Sequence, residues 1–257
     1  MQDDNHIERV RAQFGPSADL YATSDVHAAG ESLSLLVDLL RPRGGRMLDV
    51  ATGAGHTALA FARHVDSVVA SDVTEQMLAA VRRLASERSI RNVETVQARA
   101  EELPFSDGSF DIVTCRIAFH HFEHQRSAIE ELSRVLKPGG ILGFTDNVTV
   151  ADPAAAEYYN AYEKLRDPSH HRVLNPAVLA ALFDVAGLSV RSTRVLTKEF
   201  EFHEWADRQH VDEATKERLL EMMRTIPDPL DELFRPRWDD ATMYFTLREA
   251  VIVAEKR

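Results

Sequence analysis

The decisive stretch of this sequence is Leu48-Asp49-Val50-Ala51-Thr52-Gly53-Ala54-Gly55-His56-Thr57. An apolar run enters two closely spaced glycines, and a helical pattern continues over residues 57–64. Glycines at such a turn let the backbone approach a ligand closely, at a point where the helix N-terminus presents its N–H groups. The stretch therefore predicts a strand, a ligand-binding loop and a helix, in that order.

The same alternation extends along the middle of the chain. Helical spacing at 74–88 and 125–136 separates further short apolar runs, at 67–70, 93–97, 110–115 and 141–144. Strands that are buried on both faces are nearly continuous apolar runs, and alternating strands and helices form a parallel sheet covered on both sides. The pattern predicts an α/β fold.

After residue 144 the pattern changes to longer helices and β-rich runs. Helical patterns lie at 153–166, 176–186 and 205–224, and β-rich runs lie at 188–196 and 244–254. The last run looks like a strand reached by a hairpin-type connection rather than by another helix. Because we see no linker between these segments, we predict one domain over 1–257.

Composition narrows the class of protein. Of the residues, 44% are hydrophobic and 28% are charged, which is typical of a soluble globular chain, and no apolar run approaches the roughly 18 residues of a membrane span. A formal charge of −11 disfavours a nucleic-acid partner. Cys115 is the one cysteine and the N-terminus has no secretory pattern, so we predict a cytoplasmic protein.

Two carboxylates favour one class of cofactor over another. Asp72 ends the second strand, 19 residues after Gly53, where a carboxylate can accept hydrogen bonds from ribose hydroxyls. The run from Gly53 to Ala58 also satisfies the dinucleotide pattern G-x-G-x-x-G/A, so a nicotinamide cofactor stays open as an alternative. Asp49, however, would repel a pyrophosphate and attract a cationic sulfonium or ammonium group. This charge favours S-adenosyl-L-methionine.

Several motifs together resemble one family. The spacing Asp49-x-Ala51-x-Gly53-x-Gly55 resembles motif I of class I S-adenosylmethionine-dependent methyltransferases, with Ala51 in place of the usual first glycine. The run Ala100-Glu-Glu-Leu-Pro-Phe-Ser-Asp-Gly-Ser-Phe-Asp111 is similar to that of the ubiquinone/menaquinone C-methylase-like (methyltransferase type 11) group, as is Arg134-Val-Leu-Lys-Pro-Gly-Gly140. The resemblance covers roughly residues 14–147.

The resemblance implies a fold and a division of the chain. The expected fold is a Rossmann-like three-layer sandwich, with a seven-stranded, mostly parallel sheet whose last strand is antiparallel, plus helical cap insertions. The expected division is an N-terminal lid at 1–30, a cofactor-binding core at 31–147, cap insertions at 151–186 and 199–240, and a final strand at 241–257.

The resemblance also implies which residues bind S-adenosyl-L-methionine. Many relatives carry an acid before the alanine of the adenine loop, where this chain has Arg99. The expected cofactor-binding residues come from the N-terminal segment, motif I, the second strand and the adenine loop, and from the start of the loop after strand four: Tyr21, Asp49, Ala51, Gly53, Gly55, Asp72, Val73, Met77, Ala100, Glu101 and Arg116.

Histidines after the fourth strand are the candidate catalytic groups. His120 and His121 lie at the carboxyl edge of the sheet, where ligands bind in open α/β folds, and imidazole titrates near neutral pH. The alternative is simple packing beside Phe119 and Phe122. We predict no metal ion, since no carboxylate completes a familiar ligand spacing with them.

The segment after strand five is expected to cover the acceptor. We predict that His171 and Arg172 contact the acceptor, and that tyrosines 158, 159 and 162, with Trp205 and Phe234, give the cavity an aromatic, mostly apolar roof. The predicted reaction is in-line methyl transfer to a carbon, oxygen or nitrogen nucleophile of a small molecule. The alternatives are a nicotinamide-dependent dehydrogenase and a non-catalytic S-adenosylmethionine-binding module.

Overall fold

The computed structural model describes residues 2–18, 22, 30–239 and 242–257, with side chains from residue 5 onward. The helices, in chain order, are α1 (Gln2–Phe14), α2 (Glu31–Leu40), α3 (His56–Phe61), α4 (Glu75–Glu87), α5 (Gln125–Val135), α6 (Pro153–Arg166), α7 (Pro176–Val185), α8 (Phe202–Asp207), α9 (Glu213–Arg224) and α10 (Asp228–Phe234). The strands are β1 (Arg46–Val50), β2 (Ser67–Asp72), β3 (Val93–Gln97), β4 (Phe110–Arg116), β5 (Leu136–Asn147), β6 (Leu188–Glu201), β7 (Arg237–Asp239) and β8 (Thr242–Lys256).

The strands form one mixed sheet in the order β3-β2-β1-β4-β5-β8-β6. Strands β1 to β5 pair in parallel, and β8 is antiparallel to both of its neighbours, β5 and β6. The predicted α/β fold with a mostly parallel sheet and an antiparallel last strand is confirmed. The sheet has one strand more than predicted, because the three residues of β7 pair with the start of β8.

Alternating side chains of the strands bury two separate cores, which makes the fold three-layered. On one face, Leu48 and Val50 of β1 pack in a cluster with Ile129 of α5 and Phe183 of α7. On the other face, Met47 packs with the residues that α2 and α3 contribute, including Leu36 and Phe61. Successive side chains of a strand point to opposite faces, so an uninterrupted apolar strand supplies both cores.

A third core lies in the part of the chain that follows β5. Helix α6 begins at Pro153 after Asp152, whose carboxylate caps it by accepting from the N–H of Ala155 at 2.8 Å. Tyr159 and Tyr162 of α6 pack with aromatic residues of α8, α10 and β8 in a single cluster. This cluster fixes α6 to the end of the sheet.

The helix predicted over 205–224 is two helices, α8 and α9. The chain turns between them, and Asp212 caps α9 by accepting from the N–H of Thr215 at 2.8 Å. An aspartate at this position favours a new helix start over continuation. Across the described parts of the chain, we find no helix long and apolar enough to cross a membrane.

Candidate active site

A cavity of about 780 Å³ opens at the carboxyl ends of the parallel strands. Two groups of residues line it. We call the wall built from α1 to β4 and the turn after it, through Ala118, the cofactor half. We call the wall built from His120 onward the acceptor half. Both halves line the same cavity, so ligands bound in the two halves can contact each other.

The glycine loop between β1 and α3 has a left-handed backbone and an open side. Gly53 has φ of +54°, and a Cβ built on it would have no described atom within 4 Å. Gly53 lines the cavity, so this open space belongs to the ligand side. Gly55 differs, because its Cβ would lie 2.8 Å from Cγ2 of Val81 in α4. Gly55 therefore allows the loop to pack on α4.

Ala51 also adopts a left-handed conformation, with φ of +51°. Such a conformation is uncommon for a residue with a side chain, because the Cβ crowds the following carbonyl. Ala51 occupies the position where motif I usually has glycine. The backbone keeps the left-handed conformation that suits glycine, and this conformation is strained for alanine. Ala51 lines the cavity.

Asp49 holds the glycine loop from within the protein. Its carboxylate accepts hydrogen bonds from Thr52 Oγ1 at 2.5 Å, from Thr114 Oγ1 at 2.6 Å and from the N–H of Ala58 at 3.2 Å. Burial raises the pKa of Asp49 to about 6, against the opposing effect of these hydrogen bonds and of the Arg116 charge. The side chain reaches the cavity wall and lies beneath the loop.

Asp72 joins the end of β2 to the same loop. Its Oδ2 accepts from the N–H of Gly53 at 2.9 Å, and its Oδ1 accepts from the N–H of Thr74 at 2.9 Å. Burial raises the pKa of Asp72, although these backbone hydrogen bonds oppose the rise. Two backbone donors thus fix the direction of the carboxylate at the cavity wall.

A histidine–carboxylate dyad begins the acceptor half. His120 Nδ1–H donates to Asp146 Oδ1 at 2.6 Å, and the backbone N–H of His120 donates to Asp146 Oδ2 at 3.0 Å. Burial disfavours the charged imidazolium, but the attraction of Asp146 and its hydrogen bond outweigh burial and raise the pKa of His120. No hydrogen bond from a residue that the structure describes reaches Nε2, and His120 lines the cavity.

Two further histidines beside this dyad are neutral. The rings of His120 and His121 are 4.1 Å apart, and those of His120 and His170 are 5.7 Å apart. Burial and the nearby charge of His120 lower the pKa of His121 to about 4 and that of His170 to about 2. Only one member of the group therefore carries a proton readily.

Several known proteins are similar to this chain over most of its length. A family model described as a methyltransferase domain matches residues 48–144. YcgJ of Bacillus subtilis (strain 168), an uncharacterized methyltransferase, is 34% identical over 222 residues, which cover 86% of this chain and 88% of YcgJ. The chain belongs to the methyltransferase family.

Two solved structures match the fold of this chain over 88% of its length. The crystal structure of YcgJ matches with a TM-score of 0.85 at 32% identity, covering 88% of this methyltransferase and 98% of that chain. The crystal structure of BH2331 from Bacillus halodurans C-125 matches with a TM-score of 0.84 at 36% identity, covering 88% and 99%. The C-methyltransferase UbiE of Ectopseudomonas mendocina is similar over less of the chain, with 36% identity over 141 residues that cover 53% of this methyltransferase and 55% of UbiE.

The structure brings most of the predicted cofactor-binding residues of this methyltransferase to one wall. Eight of them line the cavity with Asp49, and they come from β1, β2, α4, β4 and the loops that follow: Ala51, Gly53, Asp72, Val73, Met77, Ala100, Glu101 and Arg116. Gly55 packs behind the wall, and Tyr21 lies outside the described residues. Arg99, at the position of the family's acid, has its Nε 3.8 Å from Glu101 Oε2. Their roles in binding stay a prediction.

The predicted acceptor contacts are placed differently. His171 and Arg172 are not among the described residues that line the cavity, and Arg172 forms a surface ion pair with Glu157 at 2.6 Å. Their backbone N–H groups both donate to the carbonyl of His120, at 2.9 Å each. The preceding Asp167 and His170 line the cavity instead. His171 and Arg172 therefore hold the backbone carbonyl of His120, and their contact with the acceptor stays a prediction.

The roof of the cavity is more polar than predicted. Tyr159 and Tyr162 are fully buried in the third core, and of the predicted aromatic residues only Trp205 is among the described lining residues. The tyrosines lie on the face of α6 that packs inward, and the face toward the cavity carries Glu163 and Arg166. Helical spacing identified an apolar face but could not show which surface it covers.

Asp146 belongs to the candidate site, and motif analysis missed it. It follows an apolar run in β5, and the carboxyl end of β5 lies at the same edge of the sheet as the ends of β1 and β2. The position in the strand that singled out Asp72 applies equally to Asp146. The signal was present in the sequence, and the pairing with His120 required the fold.

Proposed function

We propose that this methyltransferase transfers a methyl group from S-adenosyl-L-methionine to a small-molecule acceptor by in-line displacement. The observation that carries the proposal is one cavity that joins the glycine loop to the His120–Asp146 dyad. A cofactor on the loop and an acceptor beside the dyad would share this cavity, which favours a reaction that depends on positioning.

The residues of the cofactor half fit S-adenosyl-L-methionine. Gly53 leaves open the space that a Cβ would fill, so a ligand can approach the backbone closely. Asp72 would accept from the ribose hydroxyls, and Met77 and Ala100 would flank the adenine. Asp49 and Glu101 make this wall acidic, which suits a cationic cofactor better than a pyrophosphate. When bound, the cofactor supplies a methyl group activated by a sulfonium.

His120 is the proposed proton acceptor for an acceptor whose nucleophile carries a proton. Asp146 holds Nδ1–H, which leaves Nε2 as the basic nitrogen, and the carboxylate stabilises the imidazolium that forms. His121 is the weaker candidate, because its low pKa makes it a poor base and its Nδ1 contacts the Ser169 carbonyl at 3.2 Å. Membership of the methyltransferase family removes the dehydrogenase alternative.

Titration calorimetry with S-adenosylmethionine and S-adenosylhomocysteine tests the cofactor site. We expect both to bind the wild type, and Asp72→Asn to weaken binding by about 1.5–3 kcal/mol, the range for hydrogen bonds to a charged group. Asparagine keeps one oxygen for the loop and loses the charge. Asp66→Asn is the matched control, because Asp66 accepts from the N–H of Gly45 at 2.8 Å at the opposite end of β2. Equal affinities of wild type and Asp72→Asn would contradict the ribose assignment.

Release of S-adenosylhomocysteine in the presence of an acceptor separates an enzyme from a cofactor-binding module. We expect His120→Gln to bind the cofactor like the wild type and to lose at least about tenfold in turnover of an acceptor that must lose a proton. Turnover equal to that of the wild type would show that His120 is not the base.

A further inference from the structure

Two carboxylates of the acceptor half each keep one oxygen without a hydrogen-bond partner among the described residues. Glu163 and Glu249 line the cavity, and each is 5% exposed. Oε2 of Glu163 is 3.5 Å from Arg166 Nη1, and Oε1 of Glu249 pairs with Lys198 Nζ. Oε1 of Glu163 and Oε2 of Glu249 remain unpartnered. Buried polar atoms are nearly always hydrogen-bonded, so both carboxylates are short of donors, and an opposite charge at the cavity wall would stabilise them.

The charges around these two oxygens favour a cationic donor. Among the described residues of the acceptor half, five carboxylates line the cavity and three Arg or Lys side chains do so: Glu163, Asp167, Glu204, Asp207 and Glu249 against Arg166, Lys198 and Arg208. The three cations already have contacts, as has Asp207, which pairs with Lys216 Nζ at 2.6 Å. Arg166 lies 4.0 Å over the Trp205 ring, Lys198 pairs with Glu249, and Arg208 lies 5.9 Å over the Phe200 ring.

Burial of Glu163 leaves its charge incompletely compensated. Burial raises the pKa of Glu163, and the charges of Arg166 and His120 offset that effect only in part. A buried carboxylate is stabilised when an opposite charge and a hydrogen bond reach it together. An ammonium group supplies both. The same wall contains Trp205, Phe200 and Leu247, which would contact a hydrocarbon portion of the same molecule.

We propose that the acceptor half recognises a small-molecule acceptor that carries a protonated amine on an apolar body. The ammonium group pairs with the carboxylate of Glu163, and the carboxylate of Glu249 accepts a hydrogen bond from the same molecule. The proposal rests on the proposed function, because it identifies the chemical class of the molecule that is methylated. It assigns the recognition group and leaves the methylated atom open.

Three probes of one shape and different charge test the recognition. Phenethylamine, 2-phenylethanol and 3-phenylpropionate are titrated into the protein with and without saturating S-adenosylhomocysteine. We expect the amine to bind at least about tenfold more tightly than the carboxylate, with the alcohol between them. Equal or tighter binding of the carboxylate, or no binding of the amine, would overturn the proposal. Failure of S-adenosylhomocysteine to bind would contradict the proposed function instead, and the titrations without it keep the two results separate.

Neutral variants locate the recognition group. Glu163→Gln is expected to weaken amine binding about tenfold while leaving the affinities for 2-phenylethanol and S-adenosylhomocysteine unchanged. Glu157→Gln is the control, since Glu157 lies on the same helix, exposed and paired with Arg172. Glu249→Gln provides a second variant if Glu163→Gln does not fold. Unchanged amine affinity in a folded variant of either glutamate, or loss of S-adenosylhomocysteine affinity in Glu163→Gln, would overturn the assignment.

Discussion

The left-handed backbone of Ala51 makes a prediction about stability. The left-handed conformation costs an alanine roughly 1–2 kcal/mol, and glycine loses about 0.5–1 kcal/mol more entropy on folding. We therefore expect Ala51→Gly to raise the free energy of unfolding by about 0.5–1 kcal/mol in urea titrations. Ala54→Gly is the control, because Ala54 is in the same loop and is not among the residues with positive φ. A lower stability of Ala51→Gly would mean that the alanine methyl group contributes packing that outweighs the strain.

The dyad predicts a change in the pKa of His120. Burial lowers the pKa of His120, and Asp146 is the main group that raises it. In Asp146→Asn only the charges of Glu163 and Asp167 still oppose the effect of burial. We expect the pKa of His120, followed by NMR of its imidazole carbons, to fall below that of the wild type. An unchanged pKa would show that Asp146 is not the group that favours the imidazolium.

Some residues of the candidate site could be predicted from the sequence, and others could not. Asp49, Gly53 and Asp72 were predictable because their roles follow from the end of a strand and the start of a helix, which are local features. Glu163 and Glu249 were not, because one lies on α6 and the other in β8, and only the tertiary fold brings both to the cavity. Long-range packing of this kind leaves no periodic signal.

At the scale of elements, α1 and α6 differ in how they are held. Helix α6 contributes Tyr159 and Tyr162 to a core, with 0% and 1% of their surface exposed. Helix α1 lies at the cavity wall and does not contribute such a buried aromatic pair. Arg11 Nε donates to the Val73 carbonyl at 3.1 Å, and Phe14 packs edge-on against His121. The N-terminal lid over 1–30 stays a prediction, and its described helix α1 lines the cavity.

Hydrogen exchange measures this difference. Without ligand we expect the amides of α1 to exchange faster than those of α6, because local opening is easiest where few apolar contacts break. S-adenosylhomocysteine should slow exchange in α1 and leave α6 unchanged, since Ile7, Val10 and Phe14 of α1 line the cavity. Rates in α6 as fast as those in α1 would contradict this division.

The strands were predictable as elements and their ends were not. Apolar runs located β1 to β5, but β6 and β8 extend several residues beyond the apolar cores at 188–196 and 244–254. The extra length of β6 comes from pairing with β8, since Leu196 to Glu201 pair with residues 244–249, and the start of β8 pairs with β7. Pairing of this kind depends on a partner strand far along the chain, and local composition does not report it.

For the whole molecule, the neutral histidines predict lower stability in acid. His121 and His170, with pKa values of about 4 and about 2, are less basic than in the unfolded chain, where the pKa is about 6.5. Their contribution is fully present above pH 6.5 and decreases as the pH falls toward 4, because the unfolded chain then binds protons that the folded protein excludes. His120, whose pKa is raised, contributes in the opposite direction.

Asp49, Asp72 and Glu163 oppose this loss, because burial raises the pKa of each carboxyl above its value in the unfolded chain. A variant isolates the contribution of one histidine. We expect the free energy of unfolding of the wild type minus that of His170→Gln to decrease by about 2 kcal/mol between pH 7 and pH 5 in urea titrations. His64→Gln, at an exposed position, should show no such change. A difference that does not depend on pH would contradict the low pKa of His170.

The place of β8 in the sheet has a consequence for the time course of folding during synthesis. Strand β6 is made before β8, yet β8 lies between β6 and β5 in the finished sheet. When β1 to β6 have left the ribosome, β6 therefore still lacks β8, the strand with which it pairs. Through that interval the exposed edge of β5 and the 14 residues of β6 are open to pairing with other chains. Strand β8 then pairs with the edge of β5 and with one edge of β6, and the cavity receives Glu249 in the same event.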